Sequence, residues 1–594
     1  MSIAPTETWD LASVFPGGPG GDAFLREADA LAAALVTLTA VADALPEEPE
    51  LESLAETLLE LHSITERLEQ LGTYAVCAAA EDASGKAAVR ADTLANDLSN
   101  RYGRAWVVPN ARLTTCSDFV FAALLGRPEL AHMEGMLREK RRLARFRLPE
   151  REEALATELA RDGVYGWGEL YDMDAGALRI PFDRGNGVES LSAGQLAPLL
   201  GSDDKTLRDR AEVALEAGWR PLAPRAAKVL THLTGTRMVL NERRKLHMLD
   251  EPCANAKIER STLDAMIEAA RRAQPLMRRY LAAKAKYMGQ ATLSWADTFA
   301  HVGTSGGKVA YGDAQTFIVE QFDAFSPNLA GFARTALSER WIEVEDRPGK
   351  RGGGFCADLP LSRQSRIFMT WGASARSVST LAHELGHAFH NHVLHDVPAA
   401  QRRVPMTLAE TASTFAELLV REAALAQVTD QGARLRLLDA SLADGLAFLS
   451  NIPGRFELEQ ALYRLRAQGP LDPDELEAEC VASFSRWYGP TVAKVDPTYW
   501  ISKAHYYIPS LSFYNFPYTF GYLFSNLVYE RFRPLGAAGA PGYEQLLRRT
   551  GDAWAEPIAR DELGVDLGDP DTWTSALAPV KRDLDAFLAI VEGS

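Results

Sequence analysis

Cysteine is scarce in this sequence. Among 594 residues only Cys77, Cys116, Cys253, Cys356 and Cys480 occur, far apart and never in a CxxC pair. That argues against a disulfide framework or a thiolate zinc site and fits a reducing compartment, so a cytoplasmic location is expected. Excess positive charge is also missing: 63 Lys and Arg face 80 Asp and Glu, a formal net charge of −17. Nucleic acids and anionic membranes both select basic surfaces, so neither is an expected partner. Long apolar runs are absent too. "LAAALVTLTAVADAL" is broken by Asp43, and no stretch reaches the roughly 18 apolar residues of a membrane span. The start, "MSIAPTETWD", carries no basic region of the kind that opens a secretory leader. Internal repeats and low-complexity tracts are lacking as well.

What is present reads mostly as helix. Ala, Leu, Glu and Arg dominate long segments with apolar residues three and four apart, as in "LESLAETLLELHSITERLEQL" from Leu51 to Leu71. Asp472-Pro473 marks one helix start, and Ser261 marks another before "STLDAMIEAARRA". The interruptions are few. A short hairpin is expected near Leu178 to Phe182, and Glu345 to Gly372, with Gly352, Gly353 and Gly354 in a row, is the clearest non-helical region. Length alone suggests more than one lobe. The expected division is a helical N-terminal lobe over residues 1–195 and a catalytic domain over residues 196–594.

Five of the 11 histidines fall between His383 and His395, in "HELGHAFHNHVLH". A helix advances about 100° per residue, which leaves His383 and His387 about 40° apart on adjacent turns. Both imidazoles can then reach one ion. Glu384 lies about 100° from His383, beside the ion, where a carboxylate can hold a zinc-bound water. His390 sits about 10 Å along the axis from His383 and cannot comfortably share that ion. A third histidine ten residues after the first would fall at Val393. His390, His392 and His395 are therefore expected to support the ligands or lie at the surface. The third ligand is sought downstream, in "VPMTLAETASTFAELL", where Pro405 and Thr407 suggest a helix start. Glu410 stands among Ala409, Ala412 and Ser413, small residues that permit close packing. A buried carboxylate needs a partner, and zinc supplies one. Glu417, seven residues on, is expected to orient a ligand histidine, unless it is an ordinary surface acid.

With these residues in place the chain resembles the oligoendopeptidase F family, within the thimet-oligopeptidase-like zinc metallopeptidases. The resemblance runs through "TWDLASVFPG", "ANAKIERSTLDAMIEAA", "KRGGGFCADL", "TLAHELGHAFH", "ETASTFAELL" and "HYYIPSLSFYNFPYTFGYLFS". It implies a mainly α, two-lobed helical ellipsoid with a deep central substrate channel and a small β-sheet near the zinc site. It implies one zinc held by His383, His387 and Glu410, with Glu384 as general base. By the same resemblance His505, Tyr514 and Tyr518 stand opposite the zinc. Relatives often carry a further tyrosine where this chain has Phe516, and commonly Asn where it has Thr370. Which hydroxyl serves the reacting carbonyl stays open.

Gly352, Gly353 and Gly354 leave backbone amides unobstructed, so an extended peptide could pair there as an added strand, unless the run is a plain flexible loop. The expected partners are short peptides, and the state in solution is monomer or dimer. A zinc carboxypeptidase on a similar scaffold and a metal-free peptide-binding protein are the competing readings.

Overall fold

The computed structural model describes residues 7–185, 187–304 and 306–593. The first six residues, read above for their lack of basic charge, lie outside that set. Helix accounts for 71% of the chain, against five short strands among the described residues. The protein is therefore mainly α with small sheets, as expected. No helix among the described residues is long and apolar enough to cross a membrane.

Several local expectations hold for the stated reasons. Asp472 caps the helix Pro473–Tyr488, its side chain accepting from the amides of Asp474 and Glu475, with Pro473 in the first turn. The other start differs by a residue or two. The helix runs Arg260–Arg272 with Glu259 at the N-cap position, so Ser261 already lies inside the first turn. Glu259 has the extended backbone a cap requires, φ −77° and ψ 156°. The expected hairpin is β1 (Ile180–Asp183) paired antiparallel with β2 (Val188–Leu191).

The second sheet has three strands: β3 (Ile342–Glu343), β4 (Phe355–Leu359) and β5 (Gln364–Phe368), in the order β3-β5-β4. β4 and β5 form a hairpin in the register Phe355↔Phe368 to Leu359↔Gln364, which leaves β4 at an edge. The N-terminal "TWDLASVFPG" stretch docks on this sheet. The Trp9 amide donates to Oε2 of Glu343 at 3.3 Å, and the Trp9 ring sits 5.6 Å from that of Phe368. Buried Arg366 on β5 donates to the carbonyl of Asp10 and to Oγ of Ser13. A buried guanidinium needs such partners.

Close contacts group the chain into two compact units that do not follow a cut near residue 195. One comprises residues 1–145, 306–424 and 528–564; the other comprises 146–305, 425–527 and 565–594. The reason is packing between distant segments. In the first unit Phe415 stacks on Tyr543 with ring centroids 4.2 Å apart. In the second Tyr280 packs edge-on against Phe587 at 5.5 Å. Periodicity within one helix says nothing about which far segment will cover its apolar face.

Candidate functional site

The "HELGH" run lies on the helix Ala375–Leu394 of the first unit. Ser374 caps it by accepting from the Ser377 amide. Leu381, Ala382, Leu385, Ala388 and Phe389 are fully buried and fix which face turns inward. His383 and His387 remain about one-quarter exposed on the opposite edge. Their rings lie 4.8 Å apart at 82°.

Glu410 stands at a break between two helices, Met406–Ala409 and Thr411–Gln427, with φ −85° and ψ 4°. Its Oε2 lies 3.3 Å from Nε2 of His383 and 3.3 Å from Nε2 of His387. The three side chains form a group that could hold a metal ion. The spacing fits one. Two ligand atoms each about 2.1 Å from an ion, at a tetrahedral angle, lie about 3.4 Å apart. Ser413 steadies Glu410 by donating to its Oε2 at 2.8 Å.

The carboxyl of Glu417 lies behind His383. Its Oε2 is 3.3 Å from Nδ1 of His383, and its Oε1 accepts from Ser379 at 2.7 Å. An Nδ1–H donated to Glu417 leaves the Nε2 lone pair directed at the Glu410 side. Burial opposes charge on His383, but the carboxylates of Glu410 and Glu417 outweigh it and push its pKa up to about 10. Burial likewise opposes charge on Glu410, yet hydrogen bonds from His383 and His387 hold it well below the usual carboxylate range. A cluster that binds a proton this firmly supplies the field a divalent cation uses, and metal binding would displace that proton.

Glu384 is buried beside the candidate ligands, and its Oε2 has no hydrogen-bond partner among the described residues. Burial is the main cause that raises its pKa, while His387 and His383 pull it down. A buried carboxylate oxygen without a partner is costly unless a water or substrate group occupies the space. Gly354 closes in on the same carboxyl: a Cβ built there would meet Oε1 of Glu384 at 3.6 Å and the Phe368 carbonyl at 3.3 Å. The glycine stretch and edge strand β4 therefore lie next to Glu384. Gly353 has φ +101°, which a side chain would disfavour, whereas Gly352 has open space around its missing Cβ.

Two of the remaining three histidines of the cluster are not at the surface. His390 and His395 are buried. Nε2 of His390 pairs with Oγ1 of Thr550 at 2.7 Å, and burial pushes its pKa down to about 3. Nε2 of His395 pairs with Asp358 of β4 at 2.8 Å. His392 is half-buried with its ring 4.9 Å from Phe332. These contacts anchor the helix to its neighbours.

One residue escaped the reading of the sequence. Gly386, inside the motif, has no room for a methyl group. A Cβ there would lie 2.6 Å from the Ala412 carbonyl and 2.7 Å from Cα of Ser413. The small residues around Glu410 signalled close packing, and Gly386 is the other half of that contact.

His505, Tyr514 and Tyr518 come together within the second unit. Ring centroids are 4.8 Å apart for His505–Tyr514, 5.9 Å for Tyr514–Tyr518 and 6.3 Å for His505–Tyr518. All three are partly exposed. Oδ1 of Asn515 accepts from Arg455 at 3.1 Å and lies 2.7 Å from Nδ1 of His505. That network assigns the hydrogen to Nδ1 and leaves Nε2 as the acceptor. Burial lowers the pKa of His505, and the charges of Arg455 and Lys503 lower it further. Phe516 is buried against Phe456 and offers no polar group.

Two histidines and a glutamate converging on one point of a helical protein are the donor set of a candidate metal site on an HExxH helix. A family model described as Peptidase family M3 matches residues 318–577, and one described as Oligopeptidase F matches residues 113–180. An oligoendopeptidase F homolog of Lactococcus lactis subsp. lactis is 24% identical over 98% of this chain and 97% of its own length. Oligopeptidase PepF of Bacillus subtilis is 23% identical over 98% of this chain and 87% of its own. The crystal structure of oligoendopeptidase-F from Enterococcus faecium aligns at a TM-score of 0.68, with 17% identity, 96% of this chain and 99% of that one. A structure from Chlamydophila abortus aligns at 0.84, with 18% identity and 99% of both chains. The chain belongs to the M3 peptidases, in the oligoendopeptidase F group.

Proposed function

We propose that this protein is a zinc-dependent oligoendopeptidase that cuts internal bonds of short, unfolded peptides with an activated water. The observation that carries the reading is the convergence of His383, His387 and Glu410 beside a Glu384 oxygen that has no hydrogen-bond partner among the described residues. His383, His387 and Glu410 would hold the ion, with Glu417 orienting His383. Zinc bound there supplies Lewis acidity, lowering the pKa of a water and polarising the scissile carbonyl. Glu384 accepts the proton of that water and passes it to the leaving amine. Water attacks directly, so no residue of this chain forms an acyl intermediate. His505, Tyr514 and Tyr518 are assigned to stabilising negative charge on the carbonyl oxygen. Gly352 to Gly354 are assigned to backbone pairing with an extended substrate, the edge position of β4 supporting that role.

The named relatives are oligopeptidases, which supports short substrates. A folded domain would have to unfold before an extended segment could lie along β4, at a cost of about 5–15 kcal/mol. The test compares initial rates on a short peptide blocked at both ends and on the same sequence in a surface loop of a stable domain, each with and without chelator. Chelator-sensitive cleavage of the blocked peptide alone is expected. No cleavage of the blocked peptide, with cleavage of the form freed at its C-terminus alone, would make the protein a carboxypeptidase. Comparable rates on peptide and folded domain would make it a general protease.

A further inference from the structure

Tyr514 follows a strained residue, and the strain has an identifiable holder. Phe513 has φ +53°, a left-handed backbone that a bulky residue rarely adopts. Its amide donates to Oε1 of Glu459 at 2.6 Å. Its ring sits 5.5 Å from Phe456 and stacks at 5.5 Å on Tyr463. Those three partners lie on one helix, Ile452–Arg466, at positions three and four apart, so they share a face. The preceding carbonyls, of Ile508 and Leu511, accept from Arg237. The same helix presents Arg455 to Asn515, the residue paired with His505.

Glu459 itself is unusual. It is 2% exposed, and its Oε2 is buried with no hydrogen-bond partner among the described residues. A buried carboxyl with a free oxygen does not stabilise a fold as well as an apolar side chain of similar size. It accepts the Phe513 amide, a bond that no apolar residue could replace.

We propose that Glu459 is a positioning residue: through the Phe513 amide it holds the left-handed turn that aims Tyr514, and with it Asn515 and His505. The proposal rests on the reading above, in which Tyr514 and His505 serve the carbonyl oxygen in the transition state. An acceptor aimed at one amide fixes the turn at Phe513, and the turn fixes where the Tyr514 hydroxyl points. Its removal misplaces the hydroxyl without removing it.

The experiment measures kcat and KM on a blocked peptide, together with thermal stability, for Glu459→Gln, Glu459→Met, Tyr514→Phe and the double variant Glu459→Met/Tyr514→Phe. Gln keeps an acceptor for the Phe513 amide and should keep kcat. Met keeps the volume and loses the acceptor. It should stay folded with a melting temperature at or above that of the natural chain, while kcat falls by about 10–100-fold at nearly unchanged KM, the scale of a small misplacement. Tyr514→Phe should lose about 10²-fold in kcat, and the double variant should lose less than the product of the two single losses, because both changes act in part through the Tyr514 hydroxyl. A full kcat in Glu459→Met, with Tyr514→Phe impaired, would overturn the positioning role and leave the oxyanion assignment standing. A full kcat in Tyr514→Phe would overturn the assignment and the proposal together. Equal loss of kcat and stability in both Glu459→Met and Glu459→Gln would make the residue structural only. Should Glu459→Met fail to fold, the Gln variant decides: loss of kcat in a folded Glu459→Gln overturns the proposal.

Discussion

The cluster around His383 and the cluster around His505 each gather imidazole and oxygen groups, but by different means. His383, Glu384 and His387 lie on one helix, and their relation follows from 3.6 residues per turn. Only Glu410 and Glu417 come from another segment, Glu417 on the helix Thr411–Gln427 and Glu410 at the break just before it. His505 and Tyr514 lie on a mostly irregular stretch, with a short 3₁₀ turn at Ala504–Tyr507. Their relation depends on Asn515, Arg455, Glu459 and Arg237, which lie outside any short motif. A helix supplies its own geometry. An irregular segment borrows geometry from whatever it is bonded to, so its side chains can be moved by changes far along the chain.

Substitutions in the helical cluster should have the largest and most local effects. Glu384→Gln should lower turnover by about 10²–10⁴-fold, the range of a lost general base, with zinc content unchanged. Metal analysis beside kcat checks it; zinc loss equal to that of His383→Ala would mean Glu384 is a ligand. Glu410→Ala should follow, losing most of the zinc because one of three protein ligands is gone, whereas Glu417→Ala should weaken binding by only about 10–100-fold. Competition with a chelator ranks the two. A reversed order would show that the wrong carboxylate was assigned.

A smaller effect tests whether the two helices must touch. Gly386→Ala places a methyl within 2.6 Å of the Ala412 carbonyl. Backbone cannot yield as a flexible side chain does, so overpacking of about 1–3 kcal/mol is expected, with weaker zinc binding because Glu410 moves with its segment. Unchanged melting temperature and zinc affinity would show that the contact is slack.

The smallest expected effect belongs to the second cluster. Burial pushes Glu459 up to about 7, against the pull of the Phe513 amide and Arg237. The folded chain then keeps a proton that the unfolded chain releases near 4.5. A folded state that binds more protons loses stability as pH rises, so stability should fall between about pH 4.5 and 7 on this account. Glu459→Gln should flatten that slope, as read by denaturant unfolding across the range. An identical slope in the variant would mean that Glu459 ionises in the fold as freely as in the unfolded chain.

Much of the first cluster was legible. Spacing placed two imidazoles on one side and Glu384 beside them, and the small residues around Glu410 announced a close helix contact. Gly386 was in plain view but unread, because its role appears only once the Ala412 backbone is next to it. Spacing leaves His390 and His395 as supporting or surface groups, and burial against Thr550 and Asp358 excludes the surface alternative. In the second cluster the tyrosines and histidine came from a family resemblance, and Glu459 gave no signal: in "RFELEQALYRL" it reads as one more helical acid.

The sequence by itself determined the helical class, the break around three consecutive glycines, and the angular arrangement of the HELGH residues. Those depend on interactions a few residues apart, which composition and spacing express directly. Tertiary structure decided how the segments share two units, how the N-terminal stretch docks on a sheet more than 300 positions away, as in Trp9 to Glu343, and that one glutamate among 80 acidic residues would be buried under the turn before Tyr514. Contacts of that separation form only when distant apolar faces have been brought together, and no local pattern records which faces will meet.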